Sequence, residues 1–131
     1  SSFYRNFSSI EDIVDYGIAK MTQKYRQENP SPDENFRDKN LMHFKFRFFK
    51  ENADLLLTFH HAQTPQTLLA AITEFVVDAY GDMPASSIAK YELYYYSGAF
   101  YNMVIHWLED GAKESPEAMA DEFLRLANAR V

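Results

Sequence analysis

Apolar residues recur along this chain with the period of an α-helix, in blocks separated by proline- and glycine-marked breaks. Ile10, Ile13, Val14, Gly17, Ile18, Met21 and Tyr25 fall on one stripe at helical spacing. Ser8, with Glu11 three residues on, fits a capping box ahead of that stripe. The pattern predicts a helix from about Ser9 to Glu28, stopped by Asn29-Pro30-Ser31-Pro32-Asp33. Between roughly Asp33 and Lys50, Leu41, Phe44 and Phe48 form one helical stripe, with Met42, Phe46, Phe49 and Ala53 in a second beside it. Lys39, His43, Arg47 and Lys50 share the strip that remains. A helix apolar on two sides belongs between neighbours, with a narrow basic edge outside.

Asn52 is placed to cap a short helix through Leu55, Leu56, Leu57 and Phe59, ending near His60-His61. Thr64-Pro65 restarts the chain, since proline suits the first helical position. Leu68, Leu69, Ile72, Phe75, Val76 and Ala79 mark that next helix, which ends at Gly81. After the connection Met83-Pro84-Ala85-Ser86, the longest helix runs from about Ser87 to Asp110 and is closed by Gly111. Ser115 then caps a last helix, with Pro116 at its first position and Glu117 facing the helix dipole. Phe44 to Phe48 alternates like a strand, but the flanking apolar positions extend the helical period. The expected fold is all-α, a bundle of about six helices with a helical stub at the start.

Composition bounds this picture. With 131 residues, 47% of them hydrophobic, the chain is one domain able to bury a real core. The formal charge of -6 argues against this segment being itself a nucleic-acid surface. Without cysteine there is no disulfide framework and no thiolate metal site, and a reducing cytoplasm is permitted. No apolar run approaches the length of a membrane span. The aromatic share of 16%, with eleven Phe and nine Tyr, asks for more than ordinary packing.

Two uses for those aromatics follow from helical position. On the longest helix, at 100° per residue, Leu93, Tyr96, Phe100, Val104 and Trp107 share one arc. Tyr94, Gly98, Tyr101, Ile105 and Leu108 lie mostly beside it, and Glu92, Asn102, His106, Glu109 and Asp110 lie opposite. One arc serves the domain's own core. The second, with Met119, Phe123, Leu126 and Ala127 of the last helix, reads as a self-complementary dimerisation surface about a twofold axis, or else as packing within the subunit. His43, Phe46, Phe59, Tyr96, Phe100 and Met103 could line a small-molecule cavity, or could be plain core.

No metal site is expected. His60 and His61 point about 100° apart on a helix, and the one well-spaced carboxylate pairing, His106 with Glu109, reads as solvent-facing. No phosphate-binding loop, nucleophile elbow or cysteine nucleophile occurs, so neither a cofactor nor an enzymatic activity is expected.

Phe3-Tyr4-Arg5-Asn6-Phe7, followed by a serine cap and Glu11-Asp12-Ile13, resembles the end of the DNA-recognition helix and the start of the next helix in TetR-type bacterial regulators. Gly98, Trp107-Leu108, Gly111 and Ser115-Pro116-Glu117 are similar to the last two helices of one branch of that family. The resemblance implies that residues 1–7 are a remnant of the DNA-recognition helix and residues 8–131 a ligand-sensing and dimerisation domain. Tyr4 and Arg5 would belong to the DNA-binding remnant. Ile10 departs from the family, many of whose members carry a phosphate-touching lysine there. The first two family helices and most of the recognition helix have no counterpart here, so this chain is expected to continue upstream in nature, and to meet an operator only in that intact protein. Phe3 and Phe7 would then pack against helices not present, leaving the residues before Ser8 poorly ordered or leaning on a neighbour. The implied protein is a cytoplasmic homodimer without membrane attachment, taking a small apolar or aromatic effector and acting by allostery through its first helix. The alternative is a helical protein-interaction or coactivator module without an effector, with the basic strip of Lys39, Arg47 and Lys50 as a contact surface.

Overall fold

Capping and breaking residues delimit the helices largely where the pattern puts them. The structure is a computed structural model that describes residues 9–30, 34–62, 65–79 and 88–128. Among these residues there are six α-helices and no strand, the all-α bundle expected. They are α1 (Ile10–Glu28), α2 (Lys39–Glu51), α3 (Ala53–His61), α4 (Pro65–Ala79), α5 (Ile88–Glu109) and α6 (Pro116–Ala127). The expectations for Phe3 to Ser8, Gly81 and the Met83–Ser86 connection lie outside the described residues.

Three boundaries show the chemistry. The cap of α1 is Ser9 rather than Ser8: its hydroxyl accepts from the Asp12 N–H at 3.1 Å, so Asp12 and not Glu11 stands at the third helical position. α2 starts only at Lys39, because Asn35 and Asp38 hold residues 34–38 in a turn. Asn35 Oδ1 accepts from the Arg37 N–H, and Asp38 Oδ1 accepts from the Leu41 N–H. At the far end of α5, Gly111 adopts φ +91°, a left-handed conformation that glycine tolerates best. Its N–H donates to Leu108 and that of Ala112 to Trp107, the paired bonds of a Schellman stop. Ser115 then accepts from the Ala118 N–H, and Pro116 opens α6 as expected.

α2 is the centre of the bundle. Leu41, Met42, Phe44, Phe46, Phe48 and Phe49 are all buried, so both of its stripes are covered. α6 lies along one flank. There Phe46 stacks edge-on to Phe100 and Trp107 of α5, at 5.2 and 5.7 Å between ring centres. Phe123 of α6 completes the cluster against Phe36, Phe46 and Phe100. The basic edge of α2 is not simply solvated: His43 meets Asp121 at 2.8 Å and Arg47 meets Glu117 at 3.5 Å, both on α6. α1 covers the other flank through Val14, Ile18, Met21 and Tyr25. α4 and α5 pack together beside it, and α3 bridges α2 to both.

Candidate functional site

α1 meets the bundle along its length, and two of its contacts, at Gly17 and Tyr25, flank a small cavity. Near its middle, Gly17 lies against the Phe59 ring of α3, and a Cβ at position 17 would fall 2.1 Å from Phe59 Cζ. Glycine is therefore required there by close approach, not by backbone conformation. Two turns on, Tyr25 packs against Phe44, Phe48 and Phe75, with ring centres 5.2–5.3 Å apart. Its hydroxyl donates to Glu34 Oε2 at 3.1 Å.

Glu34 is the hub of a buried polar group. Lys45 Nζ donates to the same oxygen at 2.8 Å, with both side chains almost fully buried. Asn29 Nδ2 reaches Oε1 at 3.4 Å. The ammonium also lies over the Phe36 and Phe100 rings, 4.3 and 5.2 Å from their centres. Burial pulls the Lys45 ammonium below its ordinary range, and the Glu34 charge opposes that. Burial first, and Glu34 second, push the Tyr25 hydroxyl well above the usual tyrosine range, so it remains a donor. Two opposite charges out of water are stable only when paired and hydrogen-bonded, which this arrangement provides.

Between these two points lies a cavity of about 50 Å³. Ile18, Met21, Thr22 and Tyr25 of α1 form one wall, and Ala71, Ile72, Phe75 and Val76 of α4 form the opposite one. Lys45, Phe48, Phe49 and Phe100 floor it. The chemistry is that of an apolar space with one cation and one hydroxyl at its edge.

Three of the six residues expected to line a pocket, Phe46, Tyr96 and Phe100, gather with Phe36 and Phe123 in one aromatic cluster. Of the six, only Phe100 borders the cavity. His43 is engaged by Asp121, Phe46 sits in the α2–α6 aromatic cluster, and Phe59 is spent on Gly17. Tyr96 is a tie: its hydroxyl accepts from Arg37 at 2.9 Å and donates to the Ala127 carbonyl at 3.3 Å. Met103 is half-buried against the core. The residues that sequence reasoning missed are Lys45 and Glu34. One signal was there: at 100° per residue Lys45 falls about 40° from both Leu41 and Phe49, midway between the two apolar stripes. A lysine in that position has to be buried and needs a carboxylate. Nothing in the local pattern says that Glu34 supplies it.

Of the residues expected at a dimer surface, Ile105, Leu108 and Phe123 are buried in the protomer's own core. Tyr94 and Leu126 are exposed, and Gly98, Tyr101 and Met119 are half-buried. A Cβ at Gly98 would meet nothing within 4 Å. Tyr91 and Tyr95, not anticipated, add two largely exposed rings on the same helix, at 65% and 73% exposure.

The histidines behave differently from expectation. His106 turns back on its own helix, Nδ1 to the Asn102 carbonyl, and does not meet Glu109. Instead Glu109 Oε1 lies 3.5 Å from His60 Nε2 and 3.8 Å from His61 Nε2. Adjacent ring positions on one helix do therefore approach a common point, because the carboxylate reaches between them from α5.

The result is an all-α domain with an aromatic core, a polar latch and a small cavity under its first helix. Residues 39–129 match the family described as the transcriptional regulator C-terminal region, of TetR type, and the chain belongs to that family. No curated protein and no solved structure matches it. Among the described residues no helix is long and apolar enough to cross a membrane.

Proposed function

We propose that this chain is the effector-sensing and dimerisation domain of a cytoplasmic TetR-type regulator, with α1 as the lever to the DNA-reading part of the intact protein. The observation that carries the reading is the cavity under α1, set between the Gly17–Phe59 contact and the Tyr25–Glu34–Lys45 latch. At about 50 Å³ it is far below the size of a drug-like site. A small apolar or aromatic effector fits only if α1 and α4 part. Such a ligand favours the expanded arrangement over the closed one, and that difference in affinity is what drives a conformational equilibrium. Gly17 is then the pivot, and the half of α1 after it moves.

Thermal-shift screening with small aromatic and aliphatic compounds tests this. Stabilising compounds should lose their effect in Ala71→Phe, which fills the cavity from α4. A moving lever should also change the distance between spin labels at Gln23→Cys on α1 and Lys50→Cys on α2. An unchanged label distance on saturation would rule out the lever.

The dimer surface in this reading is the exposed side of α5 with the end of α6: Tyr94, Gly98, Tyr101, Met119 and Leu126. The open space at Gly98 supports it, because nothing in the protomer needs a glycine there. Sedimentation should show a dimer that Gly98→Glu dissociates. A second reading, a protein-interaction module without an effector, draws on two other exposed tyrosines of α5, Tyr91 and Tyr95, and on the smallness of the cavity. It predicts no stabilising compound at all.

A further inference from the structure

We infer that His60, His61 and Glu109 form a binding site for a divalent transition-metal ion such as Zn²⁺, at the joint between α3 and α5. The three donor atoms lie within 4.8 Å of one another. In a tetrahedral zinc site with bonds of about 2.0–2.2 Å, neighbouring donors stand about 3.3–3.5 Å apart. The His60 and His61 nitrogens are 3.5 and 3.8 Å from Glu109 Oε1, so small rotations of the exposed His61 and Glu109 side chains about a half-buried His60 suffice to close the site. Two imidazoles and a carboxylate suit zinc, nickel or copper rather than magnesium or calcium.

Three further features fit a cation. His60 Nδ1 is hydrogen-bonded to the Tyr101 hydroxyl, which leaves Nε2 facing Glu109. Orientation of a ligating histidine through its other nitrogen is the usual outer-shell arrangement. The site also lies where two helices end. His60 and His61 occupy the last turn of α3, and Glu109 is the last residue of α5, so both helix dipoles present their negative ends. His61 and Glu109 are largely accessible, which leaves an open position for water or a further ligand. Loading would clamp α3 to α5 next to Phe59, the residue on which α1 rests. The metal site itself does not depend on the effector cavity.

Zn²⁺ titration of the untagged protein, by calorimetry and by competition with a chelating indicator, tests the site. One ion per chain is expected. His61→Ala and Glu109→Gln should each weaken binding at least tenfold, and Tyr101→Phe by about 10–100-fold. His106→Ala should bind like the unaltered protein. His61 and Glu109 are exposed enough that their variants fold normally, which circular dichroism checks. Co²⁺ substituted into the site should give the intense visible bands of a tetrahedral ion. No Zn²⁺ binding, binding that survives His61→Ala and Glu109→Gln, or an octahedral Co²⁺ spectrum would overturn the assignment.

Discussion

The two flanks of α2 are built from similar residues and do different things. Toward α6 the centre of the contact is aromatic, edged by the His43–Asp121 and Arg47–Glu117 pairs. Phe46 meets Phe100, Trp107 and Phe123, and Leu41 and Met42 have no exposure at all. Toward α1, rings also meet, but they surround a buried ion pair and leave about 50 Å³ unfilled. Interiors normally pack to crystal-like density, so a gap beside a charge pair makes this the more loosely packed of the two flanks. The α2–α6 flank is a base. On the α1 flank the contacts are made by side chains rather than by closely apposed helix backbones.

The comparison breaks most severely at Phe46. Phe46→Ala should lower unfolding free energy by about 3–5 kcal/mol in urea denaturation, since the rigid base cannot collapse around the gap. On the other flank, Glu34→Gln strands the Lys45 ammonium among aromatic rings and should cost about 3 kcal/mol, the low end for a broken buried pair. Replacing both partners, Glu34→Leu with Lys45→Met, should recover most of that loss, which a double-mutant cycle reads directly. If the double variant is as unstable as the single one, the pair is not an isolated latch.

A smaller effect is expected where α1 rests on α3. In a free helix Gly17→Ala would stabilise by about 1 kcal/mol. Here the added methyl strikes Phe59, so a net destabilisation of about 1–3 kcal/mol is expected, relieved by adding Phe59→Leu. Thermal melts of the single and double variants decide it. The smallest change is Ser115→Ala, which removes the α6 cap and should cost about 1 kcal/mol without touching either flank. Alkaline titration adds a sign. Because burial holds Tyr25 and Tyr101 above the ordinary tyrosine range, the folded state keeps their protons after the unfolded chain loses them. Stability should therefore fall as pH rises above about 10, and less steeply in Tyr101→Phe.

Much of the fold is legible in local residues. Pro65, Pro116, Ser115 and Gly111 bound helices by backbone rules that act within a few residues. The double stripe of α2 likewise announces a helix covered on two sides. The site was far less legible. His43, Phe46, Phe59 and Tyr96 have the chemistry of pocket residues, but each is used by a partner distant in sequence: Asp121, Phe123, Gly17 and Arg37. Aromatic character tells which residues seek burial. It does not tell which ring will face a void.

Helical period, capping chemistry and the central position of Lys45 on an apolar face are consequences of the chain's order alone, because they depend on geometry that repeats every turn. Which carboxylate meets Lys45, which ring Gly17 must admit, and that Glu109 reaches between His60 and His61 were decided only when the helices packed. Such pairings depend on the relative placement of separate helices, and that placement is set by the fit of whole side chains rather than by the pattern of any one segment.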